Sequence, residues 1–334
     1  MLTKRYSSVI FALALILLAN VFFSLRLGSV DLSFTEIFNS LRAYWQGDQT
    51  QTYQIVMQIR FPRILAALLA GASLAVSGAA YQSMFINPLV SPGLLGVLAG
   101  AGFGSALGML FGRSLFLAQL GAFIFGSIAV IFALLLARLF KGNRLIMLLI
   151  GGIISSSFFT ALISVLKYLA DPQNELPAIV TLLLGGFSSV SSPAITTMAP
   201  VMLFGLIFII AFSGYLNLLS MGEDEAQALG VRVNLVRNLL IAVTTLICSL
   251  TVALGGMISW VGLMIPHIAR MLVGPDNRKL IPTAALLGAS YLLLVDDLCR
   301  SASSGEIPIG IMTALIGVPF FVLILWRTDR RWNG

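Results

Sequence analysis

Charge is scarce in this sequence. Lys, Arg, Asp and Glu fill only 10% of its 334 positions, against roughly a quarter in a soluble domain. That shortage excludes an ordinary water-soluble fold, and 58% hydrophobic residues point instead to a polytopic membrane protein. No polar stretch is long enough to enclose a core, so residues 1–334 read as one membrane domain. Cysteine is nearly absent: Cys248 and Cys299 match no metal or redox spacing. His267 is the single histidine. It stands beside Pro266 with no carboxylate or cysteine cluster, and it reads as structural rather than as a metal ligand. No phosphate-binding loop of the form G-x-x-x-x-G-K-[ST] occurs. The Gly-Ala-Gly-Phe-Gly run at 100–104 lies inside an apolar stretch with no strand before it, so ATP hydrolysis by this chain is not expected. No catalytic triad or carboxylate pair is arguable, which leaves an embedded enzyme unsupported.

What is present is a series of long apolar runs. A spanning helix needs about 20 apolar residues, and these runs are too long and continuous for barrel strands. The spacing predicts about ten spans, near 7–27, 60–84, 93–112, 115–139, 145–169, 194–219, 238–254, 257–273, 281–299 and 309–326. Residues 178–192 are short and glycine-bearing, as in a re-entrant or interfacial piece. Lys4 and Arg5 precede an apolar run to about Leu27 with no small-residue cleavage pattern, so a retained first helix is expected. With the N-terminus inside, 13 of the 20 Lys and Arg residues fall on the inner side. That bias predicts N-in and C-in, and needs no nucleic acid to explain the net charge of +7. Ionisable side chains are nearly missing from the spans, which counts against a secondary transporter or channel coupled to ions. Asp296 and Asp297 are the exception; one turn before Arg300, they predict a local ion pair.

One polar island interrupts the apolar pattern, MGEDEAQALGVRVNLVR at 221–237. Glu223, Asp224 and Glu225 suit the positive end of a helix. Gly230 suits its stop, because glycine accepts the left-handed backbone there. A second helix should run from about Val231 into the next span. The expected unit is helix, turn, helix at the inner membrane surface, either a plain solvated connection or a docking element that carries force from a soluble partner.

Two further stretches resolve that choice. FPRILAALLAGASLAVSGAAYQSMFINPLVSPGLLGVLAGAG (61–102) and GGMISWVGLMIPHIARMLVGPDNRKLIPTAALLGAS (255–290) resemble the signature regions of type II ABC importer permeases. This is the iron-siderophore, haem and vitamin B12 permease family, with molybdate or tungstate members. GEIPIGIMTALIGVPFF (305–321) and the LGVR of the island add to the likeness. The resemblance implies a vitamin B12 permease-like fold in the cytoplasmic (inner) membrane, ten helices per subunit and a homodimer. It also implies two ATP-binding subunits inside, which use ATP and Mg, and one substrate-binding protein outside. No cofactor is implied for this chain itself. The resemblance makes Glu223, Asp224, Ala226, Leu229, Gly230 and Arg232 a coupling segment for the ATPase. It makes Arg60, Arg63 and Arg300 outward arginines that dock the binding protein. It also places Ser73, Ser77, Tyr81 and Gln82 on a translocation path at the dimer axis, beside the fifth span, with Asn87, Leu89 and Asn143 at the inner gate. The chain departs from many siderophore permeases at VTLLLGG (180–186), where those carry a tryptophan; a bulky siderophore is a less natural cargo for it.

Overall fold

The computed structural model describes residues 2–28, 32–45, 50–112, 114–139, 144–302 and 305–332. These residues form helices α1 (Leu2–Arg26), α2 (Phe34–Trp45), α3 (Gln51–Gln54), α4 (Phe61–Met84), α5 (Val97–Gly112), α6 (Leu115–Leu139), α7 (Arg144–Leu169), α8 (Glu175–Leu184), α9 (Ser192–Ala211), α10 (Ser213–Leu219), α11 (Glu223–Ala228), α12 (Val233–Gly255), α13 (Val261–Val273), α14 (Asn277–Ser301) and α15 (Ile309–Trp332). No strand occurs among them. Seven helices are long and apolar enough to cross a membrane, and Val97–Phe111, Glu175–Leu184, Val261–Val273 and Ile309–Leu323 are shorter apolar helices.

The bundle is built around α4, which is buried along almost its whole length. Its sequence explains this. Gly71, Ala72, Ser73, Ala75, Ser77, Gly78, Ala79 and Ala80 give it a narrow profile, and small residues let helices approach closely in lipid. Two crossings use this fully. A Cβ on Gly78 would lie 1.9 Å from the Gly262 carbonyl oxygen of α13, and one on Gly71 would lie 2.2 Å from that of Gly288 in α14. The obstacle in both cases is backbone, so only movement of a whole helix could make room. Gly78→Leu is therefore expected to destabilise the bundle by about 3 kcal/mol, at the upper end of ordinary overpacking. A melting midpoint of the purified variant equal to wild type would show that α4 and α13 separate easily.

Two expected spans are broken or shortened in the observed helices, and the short segment expected at 178–192 takes a defined form. The run at 194–219 is broken at Phe212, between α9 and α10. The run at 257–273 becomes helical only at Val261, because Gly256 turns through the left-handed region (φ 70°) and Trp260 also has positive φ (70°). The turn lets the chain pass the Leu182 carbonyl oxygen, which a Cβ on Gly256 would meet at 1.9 Å. Finally, the segment 178–192 holds the second half of the ten-residue α8, about 15 Å long and too short to span. Its end is tied inside the bundle: Gly186 N–H donates to Gly255 O (2.9 Å), and Ile309 N–H donates to Gly185 O (3.0 Å). Three helix ends, those of α8, α12 and α15, thus meet around these glycines.

Candidate functional site

At one end of the bundle sits a buried ion network. Arg63, near the start of α4, holds Asp296 of α14 through two nitrogens, Nε to Oδ2 and Nη2 to Oδ1, both at 2.9 Å. Its Nη1 donates to Glu306 Oε1 at 2.9 Å. Arg300 pairs with Asp297 one turn away and donates to the Ser24 and Leu27 carbonyls of the α1 end at 2.7 and 3.0 Å. Ser24 Oγ donates to Asp297 Oδ1 at 2.8 Å. Arg60 closes a π-helical turn, Ile55–Arg60. Its Nη1 donates to the Leu25 and Arg26 carbonyls at 2.5 and 2.8 Å. Cations at a helix C-terminus satisfy carbonyls that have no partner in the helix itself. The network therefore ties α1 and α14 to the start of α4.

This placement describes the three arginines expected to dock the binding protein. Arg60 and Arg63 are buried, and the Arg300 side chain is only 5% exposed. All three guanidinium groups face the protomer's own carbonyls and carboxylates. They do not stand outward as free partners for a binding protein. The local pair expected for Asp296 and Asp297 forms only in part: Asp297 does pair with Arg300, while Asp296 reaches across to Arg63. Sequence spacing could not show that second link, because 233 positions separate the two residues.

The four residues expected to line a path are buried within the protomer. Ser73, Ser77 and Tyr81 are fully buried, and Gln82 nearly so. Ser77 lies against Cys248, and the Tyr81 hydroxyl lies beside Thr244 and Thr245. Ser77 and Tyr81 form a buried hydroxyl seam between α4 and α12, and their hydroxyls have no hydrogen-bond partner among the described residues. In this conformation they give no wall to an open path. Gln82 links inward instead: its Nε2 donates to Leu263 O (3.3 Å), and it accepts from Arg270 Nη1 (3.2 Å). α7 carries a row of polar groups on its surface. Ser157, Thr160 and Ser164 are exposed there, at helical spacing. Thr160 and Ser164 donate to the carbonyls of Ser156 and Thr160, at 2.8 and 3.1 Å. Hydroxyls three and four apart on an apolar helix were the sequence signal for this face.

After α4 the chain turns sharply. Asn87 N–H donates to Gln82 O (3.1 Å), and Asn87 Oδ1 accepts from Leu89 N–H (2.9 Å). Ile86 holds a positive φ of 49° with its side chain exposed. A β-branched residue in that region stores backbone strain. Leu89 is also exposed. Asn143 lies outside the described residues.

The same end of the bundle carries the island. α11 begins at Glu223, Gly230 has φ 81°, and α12 starts at Val233. The helix, turn, helix pattern is thus as the sequence predicts. Glu223 Oε1 accepts from Arg237 Nη2 at 2.5 Å, which fixes the small helix to α12. Asp224, Leu229, Gly230 and Arg232 are exposed. Ala226 is the exception: it is fully buried, so it supports the knob from beneath and offers no surface. Met221, like Leu229, is an exposed apolar residue of the island. Nearby, Asn217 Nδ2 donates to Asp276 Oδ1 at 2.7 Å, and this bond chiefly holds the Asp276 carboxyl below its ordinary range. Asp276 in turn caps α14. Among the described residues, no group of three or more His, Cys, Asp or Glu side chains could hold a metal ion.

Apolar helices packed on a glycine seam, with a two-helix knob at one end, describe a polytopic membrane protein. Comparison with known proteins gives the particular kind. The FecCD transport family matches residues 16–327. The molybdate import system permease protein MolB of Haemophilus influenzae is 40% identical over 97% of both chains. The vitamin B12 import system permease protein BtuC of Yersinia enterocolitica is 36% identical, over 97% of this chain and 94% of its own. A solved structure described as an inward-facing conformation of a metal-chelate type ABC transporter superposes with a TM-score of 0.84. It has 39% identity and covers 96% of this chain and 99% of its own. The chain belongs to the FecCD transport family. It is a multi-pass inner-membrane permease subunit of an ABC importer, and the ATPase is a separate subunit. An ATPase and a substrate-binding protein are its partners by family.

Proposed function

We propose that this permease works as a homodimer and imports a metal-containing nutrient by alternating access. The cargo is an iron-siderophore, haem, cobalamin, or molybdate or tungstate, handed over by the binding protein. Ten spans cross the membrane, N-in and C-in: the seven long helices together with α5, α13 and α15. The island end is then cytoplasmic, and the Arg63 end faces out. The observation that carries the reading is the knob. It is a rigid element, bridged to α12 by Glu223 and Arg237, with Met221 and Leu229 uncovered beside exposed Asp224 and Arg232. Such an element can pass closure of an ATPase dimer into rotation of membrane helices. The cargo path is lined by Ser157, Thr160 and Ser164 of α7, which suits release rather than tight binding, with Asn87 and Leu89 at its inner end. No cofactor is needed by this chain.

A secondary transporter is disfavoured by the same structure, because both carboxylates of α14 are committed to arginines. The test is uptake into proteoliposomes that hold permease, ATPase and binding protein, with each cargo in turn and with or without internal ATP. One cargo should accumulate, and only with ATP. Uptake that ignores ATP would overturn the coupling.

A further inference from the structure

At the island end, α6, α7 and α12 enclose a cavity of about 460 Å³. Its polar lining is Arg138, Arg237 and Asn238, and its apolar lining includes Leu134, Leu148 and Ile241. The Arg237 side chain is only 3% exposed. Its Nη2 serves Glu223, but Nε and Nη1 are buried with no hydrogen-bond partner. Buried donors left unpaired are costly, and those of a charged group more so. An acceptor with negative charge is the group that would satisfy them.

The polarity of the cavity narrows the choice. Arg138 stands in the last turn of α6 and Arg237 in the first turns of α12, while Leu134 and Ile241 lie one turn further along the same helices, toward the bundle interior. The cations therefore lie over an apolar floor. Leu135 and Leu139 of α6, and Leu235 and Leu239 of α12, are exposed apolar flanks beside it. A phosphate over acyl chains has this same order. Basic pockets between membrane helices attract anionic headgroups from the cytoplasmic leaflet.

We propose that this cavity holds the phosphate headgroup of an anionic phospholipid, with Arg237 Nε and Nη1 and the Arg138 guanidinium as donors. Asn238 borders the headgroup, and the chains rest on Leu134, Leu148 and Ile241. The same guanidinium that anchors Glu223 is then completed by lipid, so the leaflet and the coupling segment share one cation. The placement in the cytoplasmic leaflet rests on the orientation proposed above.

The test is native mass spectrometry of the purified permease after equilibration with equal amounts of phosphatidylglycerol and phosphatidylcholine. Phosphatidylglycerol should be retained with a preference of about tenfold, equivalent to about 1.4 kcal/mol. Ala137→Phe fills the cavity without changing charge and should abolish that retention. Arg138→Gln, at an exposed position, should lower the preference several-fold even if the filled variant folds poorly. Equal retention of the two lipids, or unchanged preference in both variants, would overturn the proposal. So would protection by inorganic phosphate that matches the lipid, which would reveal a small-anion site. Retention is read on the permease alone, with no ATPase, binding protein or cargo, so its failure is distinct from failure of the importer reading.

Discussion

Replacing Arg63 with Met should lower the stability of the purified permease by about 3–5 kcal/mol, the range for breaking a buried ion pair. The loss comes from the partner left behind. Asp296 is fully buried and takes both of its close hydrogen bonds from Arg63, and no other cation among the described residues is bonded to it. Glu306 contributes little to the cost, because its side chain is 44% exposed and exposed pairs are worth about 1 kcal/mol or less. The double variant Arg63→Met with Asp296→Leu should therefore recover most of the loss, since an apolar pair of similar volume replaces a buried ion pair at little cost. Denaturation midpoints of the three proteins in one detergent decide the matter. If Arg63→Met melts with wild type and loses only its grip on the binding protein, the arginine is a docking group after all. The same logic changes what charge reversal at Arg60 and Arg63 would report. A glutamate at position 63 would stand against Asp296 and Glu306, so weakened docking would follow from a damaged fold.

Local chemistry made much of the fold readable. The apolar run lengths located most of the spans, and Glu223 with Gly230 fixed both ends of the knob's first helix. What stayed hidden was pairing over long separations. Nothing near Arg63 in sequence announces Asp296, and an arginine that starts a membrane span looks the same whether it faces water or a carboxylate. Burial was hidden too. Ser73, Ser77 and Tyr81 recur at helical spacing, and that pattern fits a water-filled path as well as a hydroxyl seam. Only the position of α12 beside them tells which one forms. The short stretch 257–260 was misread because apolar composition does not reveal how far a backbone turn extends beyond the two glycines at 255 and 256.

Within the knob, two neighbouring substitutions should separate cleanly. Leu229→Asp places a carboxylate on a surface that is already 60% exposed, so stability should stay within about 0.5 kcal/mol of wild type. Binding of the ATPase should weaken by about 2 kcal/mol, or roughly 30-fold, as expected for an apolar anchor at the centre of an interface. ATP-driven uptake should fall with it when the ATPase is limiting. Ala226→Asp should behave otherwise. Ala226 has no exposed surface, and its carbonyl accepts from Val231 N–H at 3.0 Å across the Gly230 turn. A carboxylate there is cut off from water and should cost several kcal/mol, releasing α11 from α12. The readout is a pull-down of purified ATPase together with the melting midpoint of each variant. Leu229→Asp should lose partner and keep its melt; Ala226→Asp should lose both. Normal ATPase binding by Leu229→Asp would mean that the partner grips the knob elsewhere, with Met221 the next residue to change.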